Sequence, residues 1–136
     1  MKEKTIYKKK FSEASEILKI NDSIIDSIDV KPLEKEITKR LGVNIKISLE
    51  VWEGRGANSI TFKRDKNLVK NTGIFEYLLK DCFVKVFNTS IGKNEKENDV
   101  WWATVSLDYS QKEHGSNGME FLTLWYNFED KKWTFK

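Results

Sequence analysis

Residues 101 to 136 constrain this chain more than any other stretch, because they read as three aromatic-rich β-strands in succession. Trp101 to Tyr109 alternates large apolar with smaller or polar residues, Glu120 to Phe128 alternates again, and Trp133 to Phe135 forms a short third run. Four of the five tryptophans lie here. Successive side chains of a strand point to opposite faces, so the alternation sorts these residues into two sets. If the loop from Ser110 to Met119 closes a hairpin, Leu107 meets Leu122, Val105 meets Leu124, Ala103 meets Tyr126 and Trp101 meets Phe128. A four-residue turn over 129 to 132 then sets Trp133 opposite Phe128 and Phe135 opposite Tyr126. Two independent turns keep the apolar set together, and that set is the expected core face.

The opposite face carries a different chemistry. Trp102, Thr104, Ser106 and Asp108 lie beside Phe121, Thr123, Trp125 and Asn127, with Lys132, Thr134 and Lys136 at the flank. Hydroxyl residues between aromatics make a poor interior. They suit a recognition surface, where flat rings supply contact area and short polar groups direct hydrogen bonds. Trp102 and Trp125 are expected on a diagonal, within reach of one another. Trp102, Thr104, Asp108, Phe121, Thr123, Trp125 and Asn127 are therefore the candidate partner-binding residues. The competing reading is that an N-terminal helix, the residue 83–87 segment or a second copy of the chain covers these rings.

Upstream, residues 1 to 11 read as a basic arm, disordered or added as a short strand. Ser12 with Glu16 suggests a helix start followed by Ile17, Leu18 and Ile20, and Asn21 to Ser23 offers a second cap before Ile24, Ile25 and Ile28. Pro32 opens a clearer helix in which Leu33, Ile37 and Leu41 recur every four residues, with Gly42 as its left-handed end. Val43 to Trp52 alternates cleanly and reads as one strand. Gly54-Arg55-Gly56-Ala57-Asn58 makes a turn into a return strand with Ile60 and Phe62. Asn71 or Thr72 caps a central helix through Cys82. The segment 83 to 87 reads either as a continuation of that helix, through Cys82, Phe83 and Val86, or as a strand over Val84-Lys85-Val86, with the strand favoured. Residues 88 to 99 read as an exposed loop. The order predicts one α+β domain over residues 1 to 136, with N-terminal helices and one central helix on one face of a mostly antiparallel sheet. That sheet ends in a three-stranded aromatic meander.

Composition narrows the chemistry. A chain of 136 residues with 39% hydrophobic and 12% aromatic content can build a core, enough to bury ~two-thirds of its unfolded surface. Cys82 is the only cysteine and His114 the only histidine. That leaves no intrachain disulfide, no metal site of Cys and His ligands alone, and no implied cofactor. No apolar run follows the basic N-terminus or approaches the ~20 residues of a membrane span, so a cytoplasmic protein without membrane contact is expected. The net charge is only +3, with arginine confined to Arg40, Arg55 and Arg64. Lysines interleaved with acids describe a solvated surface and argue against a nucleic-acid footprint. The preference for Lys, Asn and Ile points to an AT-rich bacterial or mobile-element genome.

Catalytic signals are weak. The hairpin loop contains His114 with Gly115 and Gly118 and is flanked by Asp108, Glu113 and Glu120. His114 and Glu120 could serve as acid and base, but a lone histidine in a polar loop is ordinarily just exposed. Gly54-Arg55-Gly56 could cradle an anion, yet it lacks the spacing and lysine of a nucleotide loop. The sequence therefore favours a small non-enzymatic module that binds another protein, in the style of an inhibitor, immunity or counter-defence protein. The alternative is a small-molecule-binding or weakly catalytic pocket using Asp108, His114 or Glu120 with Arg55 and Trp102, and Arg55, His114, Asn117 and Glu120 are the candidate pocket or anion-binding residues. A homodimer through the terminal sheet is also expected, since nothing after Lys136 is available to pair with the last strand.

Overall fold

The computed structural model describes residues 18–42, 44–54, 57–64, 68–70, 83–108 and 118–136. It is a mixture of helix and antiparallel sheet, and both helices among the described residues precede every strand. The first, α1 (Asp22–Asp26), starts where the Asn21 side chain accepts a hydrogen bond from the Ile24 N–H at 3.0 Å. The second, α2 (Lys31–Leu41), has Pro32 in its first turn, where a missing N–H costs nothing. Gly42 ends it at φ 71°, a left-handed conformation that glycine adopts without steric penalty. Leu33 and Ile37, one turn apart, are completely buried, as their spacing predicts. The expected earlier helix at Ser12 to Ile17 and the central helix ending at Cys82 lie outside the described residues.

The alternating stretch from Val43 to Trp52 is two strands rather than one. β1 (Asn44–Lys46) and β2 (Leu49–Glu53) are separated at Ile47 and Ser48. The cause lies in α2, whose Glu34 carboxylate accepts the Ile47 N–H at 2.7 Å. A charge-assisted bond to a carboxylate takes that amide away from any sheet. β1 consequently pairs with β4 (Leu68–Lys70), while β2 pairs with β3 (Asn58–Phe62) in a separate hairpin, Val51 opposite Ile60. Its turn is closed by the Gly54 N–H donating to the Ala57 carbonyl at 3.1 Å.

The remaining strands form one antiparallel meander in the order β5 (Phe83–Lys93), β6 (Asp99–Asp108), β7 (Gly118–Asn127), β8 (Lys132–Phe135). Residues 83 to 87 are strand, the favoured of the two readings, and not a continuation of the central helix. The exposed loop expected over 88 to 99 shrinks to residues 94–98, because β5 continues through polar Asn88, Thr89 and Ser90. A bulge makes this continuation work: Asn88 and Thr89 together face Ala103, and Asn88 adopts φ 50°. The Asn94 side chain then accepts from the amides of Lys96 and Asn98, both at 2.9 Å, closing the turn to β6.

The register of the terminal strands differs from the expected one by two residues. Val105 faces Leu122, Ala103 faces Leu124 and Trp101 faces Tyr126, while Trp133 faces Tyr126 and Phe135 faces Leu124. The turn explains the second shift. Asn127 accepts the amides of Glu129 and Asp130 at 2.9 and 3.0 Å, so the turn begins at Phe128 and β8 at Lys132. A slip of two preserves which face each residue occupies, so the core set survives intact.

Trp101, Ala103, Val105 and Leu124 are fully buried on that face, with Tyr126 and Leu122 almost so. Helix α2 is tied to the same side of the sheet at both ends. The Trp133 indole N–H donates to the Asp29 carbonyl at 2.9 Å, and Arg40 donates to the carbonyls of Phe121 and Lys136, each at 2.9 Å. Thr89 joins the hairpin to the sheet. Its hydroxyl donates to the Ile60 carbonyl at 2.6 Å, accepts the Trp101 indole N–H at 2.7 Å and lies 2.8 Å from the Ser59 hydroxyl.

Tyr126 links this packing to pH. Burial raises the pKa of its phenol above the ordinary value of 10.0, and the negative charge of Asp29 adds to the shift. The folded state therefore holds this proton more tightly than the unfolded chain does. Its contribution to stability is fully present below pH 10.0 and is lost as pH rises through the folded pKa. Urea midpoints above that pH should fall less steeply for Tyr126→Phe than for the parent protein. Equal slopes would show that Tyr126 carries no such linkage.

Candidate functional site

The outer face of the meander is laid out in cross-strand rows. One row runs Ser90, Trp102, Trp125, Thr134, and the next runs Phe87, Thr104, Thr123, Lys136. A third contains Lys85, Ser106 and Glu120. Trp102 and Trp125 are thus directly opposite rather than diagonal. The Phe128 N–H donates to the Asp99 carbonyl at 3.0 Å, which marks that pair as hydrogen-bonded and sets the alternation along β6 and β7. By that alternation Trp102 with Trp125, and Thr104 with Thr123, are non-hydrogen-bonded pairs, in which opposing side chains approach most closely.

Both indoles are half-buried. Among the described residues neither stacks on another ring, and neither indole N–H has an acceptor. The aromatic contacts gather on the other face, where Trp101, Tyr126, Phe128, Trp133 and Phe135 pack at centroid distances of 4.7 to 6.0 Å. The two tryptophans of the outer face therefore present contact area and donors that the described fold leaves uncommitted.

Other expected site residues are already engaged. The Thr104 hydroxyl donates to the Phe87 carbonyl at 3.2 Å and so ties β6 to the β5 bulge. Asn127 spends its side chain on the turn to β8, its amide also donating to Asp130 at 3.3 Å. Phe121, expected on the outer face, packs against the core instead. It is the extra residue of a bulge between Leu122 and Glu120, which oppose Val105 and Ser106, and Arg40 holds its carbonyl. Thr123 remains on the outer face, partly exposed, beside Trp125.

Asp108 ends β6 opposite Gly118, and its side chain lies outside the described residues, as do Arg55, His114 and Asn117. Glu120 is exposed on β7 opposite Ser106. The described residues thus assemble no acid–base pair from this set. They do form an open groove of about 410 Å³ between α2 and β1, where Lys31, Lys35 and Lys46 surround Glu34. Its carboxylate is already spent on the Ile47 amide. Among the described residues no group of three or more His, Cys, Asp or Glu side chains could hold a metal ion. No helix among them is long and apolar enough to cross a membrane.

Some of this surface was not read from the sequence. Phe83, Lys85 and Phe87 of β5 extend the outer face, with the Lys85 ammonium 4.4 Å from the Phe87 ring centroid and the Arg64 guanidinium 4.5 Å from that of Phe83. The signal was present, since Val84 and Val86 alternate with them. Trp52, 45% exposed, lies on the β2–β3 hairpin with its ring over Gly54, where any Cβ would strike it. Ser106 is fully buried on the outer face, and its hydroxyl has no partner among the described residues. The face is therefore partly open around the tryptophan row and covered at Ser106, while Glu120 in the same row as Ser106 stays exposed.

No family model matches the chain, and comparison with curated proteins and with solved structures finds no similar one.

Proposed function

We propose that this protein is a small non-enzymatic binding module whose partner is another protein, engaged through the outer face of the β5–β8 sheet. The observation that supports this reading is the opposed Trp102–Trp125 pair, half-buried and unstacked at the centre of a sheet whose other face is rigid core. Tryptophans in such positions dominate interface energetics because each buries a large area with few rotamers to freeze. Thr123 and Thr134 beside them supply short polar groups, and Lys85, Lys132 and Lys136 supply a charged rim. An inhibitor, immunity or counter-defence role suits a small lysine- and asparagine-rich chain of this kind, by analogy of style alone.

The test is affinity capture from native extract with the parent protein and with the double variant Trp102→Ala, Trp125→Ala. The variant should keep its urea midpoint within what ~1 kcal/mol per ring accounts for, as befits side chains outside the core. It should lose the captured partner, while Glu50→Ala on the β2–β3 hairpin keeps it. Retention of the partner by a folded double variant would end the recognition-face reading. Unfolding of the double variant would instead assign the rings to the interior.

A further inference from the structure

The two edges of the four-stranded sheet are finished differently. At β5 the hairpin closes the flank through the bonds of Thr89 to Ile60 and Ser59. At β8 the amide and carbonyl of Lys136 both bond to Thr123, at 3.0 and 3.3 Å. In an antiparallel ladder that assigns Lys132, Thr134 and Lys136 to β7, and it turns the N–H and C=O groups of Trp133 and Phe135 outward. Among the described residues nothing bonds to these four groups. The strand that carries them is nonetheless held firmly. Trp133 stacks on Phe135 with an interplanar angle of 13°, its indole is fastened to Asp29, and Arg40 holds the Lys136 carbonyl.

We propose that the β8 edge receives an extended acidic segment of a partner protein by antiparallel strand addition, a proposal that rests on the protein-binding reading above. A rigid row of unpaired backbone groups is a ready template for a further strand. The side chains beside it choose the occupant. Exposed Lys132 and Lys136 bracket the small Thr134 on the outer face. In a register centred on Thr134 the added strand sets one residue opposite Lys136 and another, four positions later, opposite Lys132. Carboxylates at both positions make cross-strand ion pairs. The residue between them continues the row of Ser90, Trp102, Trp125 and Thr134, two strand spacings or ~9.6 Å from Trp125. A long apolar side chain there reaches over Thr134 toward the indole.

A second copy of this chain fits the same edge poorly. Two-fold pairing about Thr134 sets Lys132 of each copy against Lys136 of the other, with like charges opposed at both ends. Charge complementarity therefore selects an acidic strand over self-pairing.

The experiment titrates the full chain with end-capped synthetic peptides containing Glu-Thr-Leu-Thr-Glu or Lys-Thr-Leu-Thr-Lys. A third peptide repeats the Glu sequence with both threonine amides N-methylated. Amide resonances and hydrogen exchange of Trp133 and Phe135 are followed. The Glu peptide should shift both resonances and slow their exchange, and the other two should bind about tenfold more weakly or worse. Lys132→Glu combined with Lys136→Glu should reverse the preference between the Glu and Lys peptides. Equal binding of those two peptides, shifts that map elsewhere, or no shift at millimolar peptide would each overturn the proposal. So would slow exchange at Trp133 and Phe135 in a dimer without peptide, which would assign the edge to a second copy. The titration reports the edge and the capture experiment reports the indole pair, so the two readings fail separately.

Discussion

Trp101→Ala is expected to cost about 4 kcal/mol, close to the whole stability of a marginal domain. Trp101 is fully buried and makes edge-on contacts with Phe62 at 6.4 Å and Trp133 at 5.9 Å. Its ring therefore touches three elements at once, namely the hairpin, the centre of the sheet and the edge strand. Truncation leaves a large cavity at their junction, which none of the three can close without breaking its own pairing. Urea unfolding followed by circular dichroism should show the midpoint lowered by roughly 2 M, taking a typical dependence of about 2 kcal/mol per molar. A loss below about 1 kcal/mol would mean that the junction collapses onto the cavity and that Trp101 is no keystone.

Thr89→Val is the second large effect, expected at about 2 to 3 kcal/mol although the side chain keeps its shape. The substitution removes only a hydroxyl. That hydroxyl is the acceptor for the Trp101 indole N–H and the donor to the Ile60 carbonyl, so both partners are left buried and unpaired. A buried polar group without a partner loses its hydration with nothing in return. Thr89→Ser should restore most of the loss, which separates the hydroxyl from the methyl. The coupling is measurable in a cycle with Trp101→Phe, which deletes the indole donor. If Thr89→Val costs as much in the Trp101→Phe background as alone, the Trp101–Thr89 bond contributes nothing.

The helix α2 was legible residue by residue. Pro32 marks its start, Leu33, Ile37 and Leu41 mark its buried stripe, and Gly42 marks its stop, all signals that act within one or two turns. The β2–β3 hairpin was legible for the same reason, with alternation on either side of a glycine-bearing turn. The break at Ile47 was not, because its cause is Glu34, thirteen positions earlier and on a helix. Nothing in the alternation of Val43 to Trp52 announces that one amide will be captured from outside. The length of β5 was hidden for a related reason: Asn88, Thr89 and Ser90 read as a loop in isolation. They become a bulged strand only because Ala103, Trp101 and Ile60 are there to receive them.

The candidate site divides along the same line. Alternation alone separates Trp102, Thr123 and Trp125 from Trp101, Leu124 and Tyr126, since the face of a strand residue depends on parity and parity is local. It leaves the pairing undetermined by any even number of residues, because a slip of two changes every partner and no face. Only the turn at Asn127 and the bulge at Phe121 decide that Trp102 opposes Trp125, that Phe121 turns to the core, and that Trp133 and Phe135 direct their backbone groups to an open edge. Local parity therefore tells which side each of these residues takes, Phe121 excepted, because the bulge reverses it there. Who stands opposite, and which edge is left unfilled, was decided by contacts between distant segments, where closing the chain and satisfying buried hydrogen bonds select one register among several that local preference cannot tell apart.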